Sequence, residues 1–369
     1  MALLRLFRHR RPLCHTFLMS LVKELLPPLA EVGTALTREQ ASQALEEILA
    51  GHVPDVEIAA MLAVFATRGE QVPELAGFVD VMRKHSVSMP FTDAERGELV
   101  DCVGTGGGPQ TFNISSGAAL VASAAGAKVA KHGNRAVTSC CGAADVLEAL
   151  GVPIELGPEL AVECLRETGF VFLYAPLYHP AMKALGPLRR ALGFRTILNL
   201  VGPLTNPAHA RTQVIGVLAP SRVLLVGRTL LMLGARRAFV VHGTDGIDEL
   251  TTTGESVVAR VEENAEGTPE LKAARITPEM ASLERATIDQ FTGGDIETNK
   301  ALLYDILTGI PGARRDVVLL NAAAVLVAAG LAGDLKQGVT MGAEAIDSGQ
   351  AAATLEKLRQ FGAKHAGKQ

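Results

Sequence analysis

The feature that most restricts the fold is a change of texture near Gly97. From Thr37 to Ser88 apolar residues recur at helical spacing, with Ala41, Leu45, Ile48 and Leu49 followed by Ile58, Met61, Leu62 and Phe65. No strand signal occurs before residue 98. Beyond it, ELVDCVGTGGG reads as a strand entering a glycine loop, and NISSGAALVASAAGA as a helix whose start carries the cap-type residues Asn113 and Ser115. AKVAKHGN, FVFLYA (170–175), QVIGVLA (213–219) and AFVVHG (238–243) read as further strands, with helices predicted over 145–150, 158–168 and SRVLLVGRTLLMLGA. Strands separated by helices of this length imply a mainly parallel sheet covered on both faces. The fold class is therefore α/β: a large α/β domain with a mainly parallel central sheet, plus a smaller all-helical domain.

Thr37 with Gln40 has the form of a capping box, and Gly51 stands where that helix should stop. The stretch HPAMKALGPLRRALGFRTILNLVGPLTNP (179–207) has helical spacing and belongs with the N-terminal helices rather than the sheet. The expected division is 19–92 plus about 180–210 for the helical domain, and 93–179 plus about 211–369 for the α/β domain. Two crossings of the chain make the junction a natural cleft. Residues 1–18 hold four arginines and no acid; they are expected to be a disordered or misassigned extension, with Met19 the natural start. Thr298 to Phe361 is again helical apart from the GIPGARRD turn.

Composition excludes several classes. With 35 Lys+Arg against 39 Asp+Glu, the formal charge of -4 disfavours sequence-wide nucleic-acid binding. The longest apolar run, Val317 to Leu331, is broken by Asn321 and falls short of the ~20 residues a spanning helix needs, so it reads as a buried core helix and no membrane association is expected. Five cysteines without a CxxC pair suit reduced thiols and a cytoplasmic location.

Three clusters carry chemistry. Gly104 to Gly108 lies between a strand and a helix, where backbone amides can approach an anion without β-carbon obstruction, although a tight turn would look the same. It is neither a GxGxxG fingerprint, since Thr111 or Pro109 replaces the last glycine, nor a Walker loop. Lys128 and Lys131-His132-Gly133-Asn134-Arg135 put three fixed cations and a histidine at a strand end, where open α/β sheets place ligands. Asp248-Glu249, on the loop after AFVVHG, can offer carboxylate oxygens to Mg²⁺.

At these residues the chain resembles the anthranilate phosphoribosyltransferase family, over about residues 20–362 and in motif order: GTGGG..TFNISS, KHGNRAVTS, GAADVLEALG, the HPAM to GPLTNP stretch, GIDEL and RRDVVLLNAAAVL. The resemblance implies a nucleoside phosphorylase/phosphoribosyltransferase-like fold, hinges, a homodimer formed through the helical domain, and a site between the domains. The implied activity, the second step of tryptophan biosynthesis from chorismate, joins anthranilate to phosphoribosyl pyrophosphate and releases pyrophosphate. It implies phosphoribosyl pyrophosphate binding by Gly104, Thr105, Gly107, Gly108, Thr111, Asn113, Ile114, Ser115 and Ser116 in the glycine-loop region, and by Lys131, His132, Gly133, Asn134, Arg135, Ala136, Val137, Thr138, Ser139 and Ala143 in the second. Mg²⁺, two ions per subunit, would be held by Ser115, Asp248 and Glu249, and catalysis carried by Lys131, Asp248 and Glu249. Anthranilate would meet Gly104, Asn134, Arg189, His132 and Tyr178, with His179 nearby. Arg189 can give a benzoate two parallel N–H donors, whereas Arg190 suits an exposed position. With only 4% aromatic residues, Tyr178 is the one ring expected beside the substrate.

Two departures from the family pattern stand out: Gly108 replaces a common loop aspartate, and Ala143 replaces a common serine. The alternatives are a pyrimidine nucleoside phosphorylase, which would not need GIDEL for a metal, and a non-catalytic nucleic-acid-binding relative of the same fold.

Overall fold

A computed structural model of the chain describes residues 20–136, 140–264 and 266–367; the expectations for residues 1–18 and for Val137, Thr138 and Ser139 fall outside them. The first helices are α1 (Leu21–Glu31), α2 (Arg38–Leu49), α3 (Asp55–Arg68) and α4 (Val72–Lys84), then the short α5 (Asp93–Glu98). Thr37 and Gln40 form the capping box of α2, and Gly51 takes the positive φ of 74° that ends it. The alternating region follows as β1 (Leu99–Gly104), α6 (Ile114–Ala124), β2 (Lys128–Gly133), α7 (Ala143–Ala149), α8 (Pro158–Thr168), β3 (Phe170–Tyr174) and α9 (Ala175–Tyr178). Helices α10 (Met182–Leu192) and α11 (Ile197–Leu204) interrupt it before β4 (Thr212–Gly216), α12 (Pro220–Met232) and β5 (Arg237–Gly243). Then come β6 (Ser256–Glu263) and β7 (Pro269–Ile276), two 3-10 turns, and α13 (Ile296–Leu307), α14 (Ala313–Ala329), α15 (Leu335–Asp347) and α16 (Gln350–Lys364).

The seven strands form one sheet in the order β3-β2-β1-β4-β5-β6-β7. The first five in that order are parallel, whereas β6 and β7 are antiparallel. That antiparallel edge is an addition to the parallel pattern of the sequence. Its SVVARVEE strand alternates, but PELKAARI is half-polar and largely solvent-facing, which leaves little apolar periodicity to read.

Two hydrophobic clusters hold these layers. One packs α6 and α14 on the sheet through residues such as Leu120, Val121, Val318 and Leu320. The other joins α1 to α4 with α10, α11 and α12, and reaches the opposite sheet face at Ile215, Val240 and Ala259. Helix α11 is apolar almost all round, with Ile197, Leu198, Leu200, Val201 and Leu204 buried, so it belongs between other elements rather than at a surface. Its end is tied on two sides. The Arg83 guanidinium donates to the Leu204 carbonyl at 3.0 and 2.8 Å, and buried Asn206 donates to Ala130 of β2 at 2.8 Å. No helix among the described residues is long and apolar enough to cross a membrane.

Candidate active site

From β1 the chain winds to β2 and β3 on one side, while β4 and β5 extend the sheet on the other, so the winding direction changes between β1 and β4. Such switch points open a crevice at the carboxyl ends of the strands. Here β1 and β4 end at paired glycines, Gly104 and Gly216. A Cβ on Gly104 would overlap the Asp248 carboxylate, and one on Gly216 would overlap the Asp248 carbonyl, so only two glycines let the Asp248-Glu249 loop lie on the strand ends. Buried Asn321 of α14 fixes that loop, accepting from Leu250 N at 3.0 Å and donating to Leu250 O at 2.8 Å. The asparagine that breaks the apolar run of α14 thus anchors the loop. The Thr251 and Thr253 hydroxyls donate to Asp245 at 2.6 and 2.7 Å and brace it further.

Burial raises the Asp248 carboxyl, opposed by the Gly106 N–H that donates to its Oδ2 at 2.6 Å. Glu249 is pushed well above the usual carboxylate range by burial and then by Asp248, and its Oε2 is buried with no protein partner among the described residues. Lys131, itself buried, donates to the Cys102 carbonyl and lies 3.4 Å from Ser115 Oγ, and its charge acts on Glu249. Ser115, Lys131, Asp248 and Glu249 therefore meet at one place. The donor set fits magnesium, which keeps several waters and takes one or two carboxylates alongside substrate phosphates. An unpartnered buried carboxylate oxygen beside a second carboxylate is a natural seat for such a cation. No group of three or more His, Cys, Asp or Glu side chains able to hold a metal forms among the described residues.

Around the loop, Thr105 N donates to Gly216 O at 2.9 Å, and Phe112 N to Phe291 O at 2.9 Å. Asn113 occupies the N-cap position of α6, but its side chain does not cap the helix. It donates instead to Cys141 O at 3.2 Å and accepts from Asn299 Nδ2 at 3.0 Å, holding the glycine loop against the second cluster and α13. Ile114 and Ser116 are fully buried, the Ser116 hydroxyl without a protein partner among the described residues, and Ser115 is half-buried. Gly108 has a local reason. A Cβ there would come 2.8 Å from the Gly246 carbonyl and 3.2 Å from Leu218, so the aspartate common in the family has no room in this loop.

The second cluster differs from its sequence reading. Lys128 is the first residue of β2, at the strand end away from the site, where it pairs with Glu98. Arg135 is engaged by Glu148 (2.7 and 3.1 Å) and Asp145 (3.1 Å) and lies over the Tyr174 ring, so its side chain is not free for diphosphate. Asp145 also accepts from Ala136 N and Gly142 N, both at 2.9 Å. Burial would raise Asp145, but these donors and Arg135 hold it below its usual value. Gly133 and half-buried Ala136 and Ala143 line this bend, and Asn134 is exposed, accepting from Arg135 N at 2.7 Å.

His132 and His179 are buried edge to face, 5.1 Å between ring centroids. Burial lowers them to about 3 and about 4, so both are neutral. Tyr178 corrects an expectation. It is fully buried in the α/β core with its hydroxyl donating to Leu156 O at 2.6 Å, because a buried phenol needs an acceptor and Leu156 supplies one away from the cleft. Arg189 of α10 is exposed, as its neighbour Arg190 is, so exposure does not separate the two; Arg189 has no carboxylate partner among the described residues, and partial desolvation of its guanidinium lowers its pKa. Arg195, between α10 and α11, belongs to none of the three clusters; its Nη2 donates to Gly106 O at 2.9 Å and covers Gly107.

Comparison with known proteins agrees with this arrangement. Residues 96–352 match the glycosyl transferase family a/b domain, and residues 25–86 the helical bundle domain of the same family. An anthranilate phosphoribosyltransferase of Symbiobacterium thermophilum is 45% identical over 92% of this chain and 97% of its own length. The solved anthranilate phosphoribosyltransferase of Thermus thermophilus is 41% identical with a TM-score of 0.83, covering 93% of this chain and 99% of that one. The Saccharomyces cerevisiae enzyme, solved in complex with PRPP and Mg, is 25% identical with a TM-score of 0.82, over 95% of this chain and all of that one. A glycine-paired switch point crowned by two carboxylates, on a chain alike over nearly its whole length, belongs to the anthranilate phosphoribosyltransferase family.

Proposed function

We propose that this chain transfers the phosphoribosyl group of phosphoribosyl pyrophosphate to the amino group of anthranilate, giving N-(5-phosphoribosyl)anthranilate and pyrophosphate. The observation that carries this reading is the Asp248-Glu249 pair laid over Gly104 and Gly216 at the switch point, with Lys131 and Ser115 beside it. A nucleoside phosphorylase, working with free phosphate, has no need of that acidic pair. Ser115, Asp248 and Glu249 would hold Mg²⁺, as two ions per subunit. Bound there, magnesium supplies positive charge to the departing diphosphate.

The residues of the chain do the rest. The bond between the anomeric carbon and diphosphate breaks as the amine nitrogen bonds to that carbon, through an oxocarbenium-like state. Negative charge builds on the leaving group, where buried Lys131 and the amides of the glycine loop are already in place. Arg189 and Asn134 orient anthranilate, Arg189 through two parallel N–H donors to its carboxylate. A neutral arylamine attacks without prior deprotonation, so the first step needs no dedicated base, and the acidic N–H proton of the arylammonium so formed then passes to water or to the departing pyrophosphate. His132, held neutral by burial, shapes the pocket instead of accepting protons near neutral pH.

Assembly as a homodimer through the helical part is also proposed; exposed Val32 and Val56, on that part, support it. A cytoplasmic location goes with the same reading. The test of the activity is loss of anthranilate fluorescence with phosphoribosyl pyrophosphate and Mg²⁺, repeated with each component left out. Loss only in the complete mixture is expected, and no loss under any condition would overturn the reading.

A further inference from the structure

Arg195 lies on the linker between α10, which carries Arg189, and α11, yet its guanidinium crosses to the glycine loop 89 residues earlier in the chain. The Gly106 peptide is gripped at both ends. Its N–H donates to Asp248 Oδ2 at 2.6 Å, and its carbonyl accepts from Arg195 Nη2 at 2.9 Å. A β-carbon on Gly107 would coincide with the same guanidinium, so Arg195 forms a roof over the loop as well as a hydrogen bond to it. Gly106 and Gly107, at φ of 67° and 88°, have no side chains of their own to hold the loop shape. An unbraced loop of this kind would sample many conformations, and its amides would be ordered only when ligand binds.

We propose that Arg195 is a positioning residue for phosphoribosyl pyrophosphate: by fixing the Gly106 peptide it pre-orders the glycine loop and the Asp248 carboxylate. The inference rests on the transferase reading for its substrate. Arg195 stands on the linker that follows α10, the helix that carries Arg189. Losing Arg195 should weaken the phosphorylated substrate, not the aromatic acid.

The test compares wild type with Arg195→Gln and Arg195→Lys in the full chain. Arg195→Gln is expected to raise the KM for phosphoribosyl pyrophosphate about tenfold while the KM for anthranilate stays within about twofold, since one charge-assisted hydrogen bond and its ordering are lost. Arg195→Lys, which can reach Gly106 O without roofing Gly107, should fall between. Hydrogen exchange of the free protein supplies a readout independent of activity: the amides of residues 105–108 should exchange faster in Arg195→Gln, with the α14 core unchanged. Unchanged loop exchange, or a KM effect falling on anthranilate or only on kcat, would overturn the proposal. A wild type without activity would sink the transferase reading, and the exchange comparison would still decide whether Arg195 orders the loop.

Discussion

Two segments stand at the carboxyl ends of neighbouring parallel strands, Gly104 to Gln110 after β1 and Asn134 to Ala136 after β2. The first is held by groups from distant segments, Asp248 and Arg195, which grip one peptide and leave a glycine-lined surface. The second is held by its own following helix, whose Asp145 binds two backbone amides and, with Glu148, takes the guanidinium of Arg135. The count of cations near a strand end is therefore a poor guide to a phosphate site. Of Lys128, Lys131 and Arg135, only Lys131 lies with Ser115 and Glu249. A cation counts toward a site only when its neighbours have not already neutralised it.

The comparison can be broken most decisively at the acidic pair. Glu249→Gln keeps the shape but removes the charge, and it should lower kcat/KM by roughly 10²–10³-fold in the anthranilate fluorescence assay at saturating Mg²⁺. Wild-type turnover would mean that Glu249 holds no metal. The contrast between a free and an engaged arginine gives the next largest effect. Arg189→Lys should raise the KM for anthranilate by about 10–100-fold because the planar two-donor fork is lost. Within the second loop, Asp145→Ala strands the Ala136 and Gly142 amides and should raise the KM for phosphoribosyl pyrophosphate about tenfold. Arg135→Gln should change it by less than about threefold, since an exposed pair contributes little. A larger effect from Arg135 than from Asp145 would reverse the reading of that loop.

The smallest expected effect concerns the buried ring pair beneath the second loop. His132 and His179, lowered to about 3 and about 4, stay neutral in the folded protein, whereas an unfolded histidine takes a proton near 6.5. Unfolded chains then bind more protons than native ones, so stability is lost as pH falls below 6.5 toward the folded values. Asp101, raised to about 6 by burial, acts oppositely, since its native form takes up a proton first as pH falls. Asp248 and Glu249, raised by burial, act with Asp101, while His209, lowered to about 4 by burial, acts with the two histidines, so the contribution of the ring pair is read from the difference between wild type and variant. The urea midpoint of wild type minus that of His179→Asn should fall as the pH drops from about 7.5 to about 5.5; an unchanged or rising difference would exclude this account.

Much of the fold was legible in the sequence. Periodicity located α2 and α3, the capping box of α2, the five parallel strands and the buried helix α14, because local spacing records which face each element buries. The β6 and β7 edge was missed, since a strand open to solvent on one face and interrupted by charge carries a faint alternating signal. At the strand ends, the order of motifs led to the glycine loop, Lys131 and the acidic pair, which the fold brings together, whereas Arg189 stands exposed on α10 and its role remains a proposal. Tyr178 was misplaced because its residue type could not reveal that Leu156 O, 22 residues earlier, satisfies its hydroxyl. Arg195 and Asn321 were overlooked: one sits inside a helical stretch, the other inside an apolar run, and their partners are 89 and 71 residues away.

The sequence by itself thus determined the layers of this protein, the chemistry available to it and its family, because those depend on spacing and on short motifs. Only the tertiary structure decided which groups are free to act. Lys131 faces Glu249 while Arg135 is closed off by Glu148, and Gly104 and Gly216 admit Asp248 while Gly108 excludes an aspartate. The reason is physical. Burial, ion pairing and steric room are set by neighbours distant in the chain, and no local pattern records them.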